Sequence, residues 1–137
     1  MMTLKEIKDW LKPQFQADHW ILASYDKSKD KTVCIRNLAT SRGRLALGGV
    51  AQTSTVVKGL SIVLHWTKNP DDSERAAQEL YSKFYGQNPV IAGCKVVKFD
   101  MRNDEPVSLG QDDSGVNEYV IEVYMTYEKE SVYGRKI

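Results

Sequence analysis

No apolar run in this chain approaches the length of a membrane span, and the opening stretch MMTLKEIKDW lacks the greasy core of a signal peptide. Cysteine is scarce: only Cys34 and Cys94, far apart in sequence. A secreted disulfide framework is denser, so the expectation is two reduced thiols in a protein made in a cytoplasm. Neither sign of charge dominates, because 19 Lys and Arg stand against 18 Asp and Glu, interspersed, for a net charge of +1. Such a balance argues against a dedicated nucleic-acid-binding module, which shows a basic stripe or excess.

The two histidines are equally sparse in company. Neither His19 nor His65 has a Cys, His or carboxylate at metal-ligand spacing, so surface or core-edge roles are expected for both. Cys34 and Cys94 fall in β-rich runs where a small apolar residue suffices. No nucleophile, base and orienting group can be brought together from the sequence. The expectation is therefore no catalytic residue, no metal and no cofactor.

What is present suits an ordinary folded protein. The chain has 137 residues, 42% hydrophobic and 27% charged, enough for one core. A single domain over residues 1–130 is expected, with a tail at 131–137 of unassigned order. Thr3-Leu4-Lys5-Glu6 fits a capping box, Leu4, Ile7 and Leu11 recur at helical spacing, and Pro13 stops that helix. HWILASYD and KTVCIRNL, separated by a short polar turn, read as a hairpin. In TVVKGLSIVLHWTK, Leu60, Ile62, Leu64 and Trp66 alternate with Ser61, Val63, His65 and Thr67, which predicts a strand with one buried face.

A second helix is expected after Asn69 as cap, with Pro70 at its first position and Asp71, Asp72 and Glu74 in its first turn. Ala76, Ala77, Leu80, Tyr81 and Phe84 form its apolar stripe, and Gly86 ends it. Two further strands follow. In the first, Val97, Phe99 and Met101 alternate with charges; in the second, Tyr119, Ile121, Val123, Met125 and Tyr127 alternate with Glu122, Tyr124, Thr126 and Glu128. The connection NDEPVSLGQDDSGVN reads as polar loop. These elements predict an α+β fold of two layers, a mostly antiparallel sheet packed by two helices.

Two segments invite a functional reading. TSRGRLALGGVAQTST, residues 40–55, has Gly43 and then Gly48 after four residues, close to a phosphate-binding loop. Gly49 stands where that loop needs lysine, Val50 where it needs a hydroxyl residue, and the next element reads as a strand rather than a helix. The nucleotide reading fails. What remains is an arm of roughly fifteen residues, a length common for functional or disordered loops. It carries Leu45, Leu47 and Val50 beside Arg42 and Arg44, so it either meets a partner surface or folds back on its own core. A small-ligand lid is the competing functional reading. The second segment holds Asp112, Asp113, Asn117 and Glu118 around Gly115 without the spacing of a calcium hand. A solvated turn is expected there, with weak cation binding the minority alternative.

The order of elements, the segment NPDDSERAAQELYSKFYG and the closing pattern EPVSLGQDDSGVNEYVIEVYMTYEKE carry a resemblance. In the closing pattern, Pro106, Leu109-Gly110, Asp112 and Gly115 precede an aromatic-rich strand ending in Tyr127-Glu128. The chain resembles minor capsid and tail-terminator (head-tail joining) proteins of tailed bacteriophages and prophages. The resemblance implies a tail-terminator-like fold and a virion structural protein without enzymatic activity. It also implies a homo-oligomeric, hexameric ring at the head-tail junction, between tail-tube and head-completion proteins. DNA would pass through such a ring without specific binding, the protein having been assembled in the bacterial host cytoplasm. A ring needs heterologous contacts, and the arm residues Arg42, Arg44, Leu45, Leu47 and Val50 are the candidates for one side of them.

Overall fold

The computed structural model describes residues 1–24, 29–40 and 54–129. Helix α1 (Leu4–Leu11) starts as its sequence dictates. The Thr3 hydroxyl accepts the Glu6 N–H at 3.2 Å and the Glu6 carboxylate accepts the Thr3 N–H at 2.9 Å. A 3-10 turn at Lys12–Gln14, containing Pro13, closes it. Helix α2 (Pro70–Ser82) begins at Asn69, whose Oδ1 accepts the N–H groups of Asp71 (3.0 Å) and Asp72 (3.1 Å). The opening N–H groups of a helix have no partner in its own ladder and need such acceptors or water; Pro70 removes one of them, and the acidic first turn also suits the dipole.

The described residues also form seven strands: β1 (His19–Leu22), β2 (Thr32–Leu38), β3 (Thr55–His65), β4 (Val90–Ile91), β5 (Cys94–Met101), β6 (Val107–Gln111) and β7 (Asn117–Glu128). They form one curled, mostly antiparallel sheet in the order β1-β2-β3-β7-β5-β4, with β6 also paired to β7. β7 is the spine. One of its edges pairs with β3 from end to end, and its other edge is shared between β6, near Asn117–Val120, and β5, near Val123–Tyr127.

The core forms where the alternation expected for β3 and β7 meets the helices. Leu60, Ile62 and Leu64 of β3 and Ile121, Val123, Met125 and Tyr127 of β7 join Ile7, Leu11, Ala77, Leu80 and Phe84 in one buried cluster. Three aromatic rings lock α1, the turn after α2 and β5 together. Trp10, Phe84 and Phe99 lie with centroids 5.3 to 5.8 Å apart, two of the pairs edge to face.

Several expectations need correction. β1 does not form a hairpin with β2; the two run parallel, with Trp20 beside Val33 and Leu22 beside Ile35. A strand of four residues leaves only about 10 Å to retrace. A short link therefore suffices where longer parallel strands need a helical crossover. Ala23 (φ 70°) and Lys31 (φ 54°) turn the chain at either end of that link. In β5 the register shifts between Val96 and Lys98, so Val96 is buried while Val97 faces out, reversing the face expected for Val97. The stretch read as polar loop contains β6, and β4 adds a strand too short to show periodicity. Finally, β3 is buried on both faces from Leu60 to His65, not on one.

Candidate functional site

The second buried face of β3 ends in a close group of buried titratable side chains. The β3–β7 register sets His65 directly beside Glu118, on the same side of the sheet. His65 Nδ1 lies 2.9 Å from Glu118 Oε2, and His65 Nε2 lies 3.7 Å from Asp112 Oδ2. The side chains of His65, Asp112 and Glu118 are 1%, 8% and 9% exposed. Asp112 is held by its turn, since its Oδ1 accepts the N–H groups of Ser114 and Val116, both at 2.9 Å. Gly115 makes that turn possible at φ 87°.

This corrects two readings. His65 is not at a surface or core edge, and Asp112 and Glu118 are not a solvated turn; only Asp113 of the acidic pair points to water. Spacing gave no signal, because partners 53 residues apart are joined only by strand pairing. Two shallow depressions, of about 290 and about 430 Å³, are lined by none of the three side chains.

The smaller depression lies at the root of the long arm. Leu38, Thr40, Val56, Lys58, Met2 and Tyr127 are among its walls. Leu38 ends β2 and pairs with Gly59 of β3, so the arm leaves and re-enters the sheet on neighbouring strands. The Tyr127 hydroxyl accepts the Met2 N–H at 3.1 Å, tying the N-terminal segment to β7 beside this root. Burial pulls the Lys58 ammonium below its usual range, and its Nζ donates to Asn37 Oδ1 at 2.9 Å. Arg42, Arg44, Leu45, Leu47 and Val50 lie outside the described residues, as do residues 131–137.

Exposed apolar side chains gather elsewhere. All five residues of β6 are exposed, including Val107 and Leu109, and among the described residues β6 pairs only with β7. Val90, Val97 and Tyr85 are exposed around β4 and β5. An edge strand with open N–H and C=O groups and apolar side chains is a ready template for another chain.

A family model described as bacteriophage tail terminator protein matches residues 6–129. The chain belongs to that family. The match runs from Glu6, inside α1, to the residue after β7, so it takes in every described strand, all of α2 and most of α1. A comparison with curated proteins finds no match. As a phage tail terminator the chain is a structural protein, and the family does not favour the ligand-lid reading of residues 40–55. No helix of the described residues is long and apolar enough to cross a membrane.

The tail terminator's two thiols differ sharply in setting. Cys34 is fully buried, its Sγ donates to the Ser24 carbonyl at 2.8 Å, and burial pushes its pKa up, with Arg36 opposing weakly. Cys94 is only half-buried. Since the thiolate is the reactive form, a raised pKa leaves less of it at neutral pH. In the native protein an aromatic disulfide reagent is expected to label Cys94 at least about tenfold faster than Cys34. Equal rates for both thiols would contradict the structure.

Proposed function

We propose that this tail terminator closes a phage tail as a ring of identical subunits, hexameric, at the head-tail junction. The family match over residues 6–129 carries this reading. On one side the ring meets tail-tube subunits, on the other head-completion proteins, and DNA passes through it without specific binding. Its place is the virion, after assembly in the host cytoplasm. Behind this ring lies the expected layered tail-terminator fold, with the helices on one side of the sheet.

Three features support the subunit contact. A ring requires two different patches that fit one another. The arm residues Arg42, Arg44, Leu45, Leu47 and Val50 supply one, semi-apolar and basic. The exposed β6 edge with Val107 and Leu109 supplies a matching apolar surface for the other, and Asp104 and Glu105 just before it offer partners for the arginines. A net charge of +1 adds little repulsion between copies.

Deleting residues 42–50 is expected to leave a folded monomer that no longer assembles. Circular dichroism reports the fold and light scattering the mass. A shortened chain that forms the same oligomer as the full one rejects the arm as the contact.

A further inference from the structure

On the basis of the ring proposed above, we infer that its subunits recognise one another by charge: the acidic side of one copy, around β6, docks on the basic side of a second copy. Over the whole chain the two signs balance, yet along it they are segregated. Residues 31–70 carry Lys31, Arg36, Arg42, Arg44, Lys58 and Lys68 and no Asp or Glu. Residues 71–137 carry eight Lys and Arg against thirteen Asp and Glu, and residues 1–30 carry five of each.

The fold carries this segregation into space. β2 and β3, the described strands of the basic stretch, neighbour β1 on one side of the sheet, while β7, β5, β4 and β6 form the other. The Arg75–Asp71, Arg102–Glu122 and Lys98–Asp100 pairs, at 2.7, 3.1 and 3.4 Å, join residues of the acidic stretch to one another. Pairs of that kind leave the excess of their own side as it was. In formal charge, a near-neutral chain is thus positive on one side of its sheet and negative on the other. Two such molecules attract when unlike sides meet and repel when like sides meet.

The acidic side has the anatomy of a contact. Val107 and Leu109 of β6 are exposed, and Asp104, Glu105 and Asp113, all exposed, stand beyond the two ends of the strand. An apolar centre with a charged rim is the usual layout of a protein interface. The connection before β6 is anchored to α2, because the Tyr81 hydroxyl donates to the Asn103 carbonyl at 2.7 Å. Burial raises the pKa of the Tyr81 phenol, and the neighbouring Asp104 carboxylate raises it further. Charge also decides the symmetry. A twofold contact through β6 would set the same carboxylates against each other, whereas a ring joins two different patches. Residues 40–55 bear Arg42 and Arg44, three larger apolar residues and no acid, so a second copy brings both kinds of side chain that this surface suits.

Sedimentation of the full chain at about 0.1 M and about 1 M salt provides the test, since the screening length falls from about 10 to about 3 Å over that range. Self-association is expected at the lower salt and should weaken at least about tenfold at the higher. Asp104→Lys with Glu105→Lys should abolish it, and so should Arg42→Glu with Arg44→Glu, circular dichroism showing both variants folded. Mixed in equal amounts, the two variants should associate again, because each then meets its opposite. If either variant fails to fold, the salt dependence of the parent chain decides. An oligomer unchanged by salt and by both pairs of substitutions overturns recognition by charge and leaves the ring reading standing. A parent chain that stays monomeric at the lower salt overturns both. Loss of association without recovery in the mixture overturns the pairing of these two sides, leaving the acidic surface to a basic segment of a different protein.

Discussion

Phe84→Ala is expected to lower the unfolding free energy by about 3–5 kcal/mol, the range for deleting a buried aromatic ring. Phe84 is fully buried, and its ring meets Trp10 of α1 edge to face at 5.6 Å and Phe99 of β5 at 5.3 Å. The loss is therefore larger than the ring's own transfer from water. Removal opens a void at the junction of three elements and forfeits two aromatic contacts, each worth about 0.5–1.5 kcal/mol. Collapse around the void is resisted, since Trp10 and Phe99 are themselves stacked at 5.8 Å on separate elements. For a chain of this size the melting temperature should fall by about 10–15 °C. Calorimetry checks this, and a fall under about 3 °C would mean that the aromatic junction repacks freely.

Gly59→Ala should rank next, at about 3 kcal/mol, the upper end for overpacking a closed position. The cause is not backbone freedom. Gly59 sits in mid-strand between Leu38 of β2 and Tyr124 of β7, where a Cβ would run into the Leu38 carbonyl. That obstacle is backbone, so it yields only if β2 moves away from β3. Because the same pairing defines the root of the long arm, the substitution should also loosen the depression lined by Leu38 and Lys58. Urea unfolding of the purified subunit measures the cost. An unchanged midpoint would show that β2 and β3 have room the structure does not give them.

The helices were the most legible part of the sequence, since their signals are local. Thr3 with Glu6, and Asn69 with Pro70, act within a single turn and need nothing from the rest of the chain. The alternation of Ile121, Val123, Met125 and Tyr127 was equally plain because that face of β7 meets the helices along its length. β6 was hidden for the opposite reason. With every residue exposed, it has no buried face to impose a period, and its Gly110 at φ 84° interrupts the pairing with a register shift. The parallel β1 and the bulge after Val96 are set by tertiary fit, which hydropathy does not record.

The buried triad was illegible for yet another reason. His65 reads as the polar member of an alternating strand, and Asp112 and Glu118 read as turn residues. The pairing of β3 with β7 sets His65 beside Glu118, and neither partner's spacing in the chain announces it. The arm is the reverse case. Its length and its leucines are plain in the sequence, while residues 41–53 lie outside the described residues.

The strand at the middle of the sheet is also the last of the described strands to be synthesised. β3 leaves the ribosome about sixty residues ahead of β7, which at roughly 5–20 residues per second is a wait of about 3–12 s. During that interval Leu60, Ile62 and Leu64 have no β7 to cover their pairing edge, and long-range closure of this kind is slow in its own right. Translation rate and temperature, more than the equilibrium strength of the finished core, will therefore govern how much of this protein escapes aggregation as it is made.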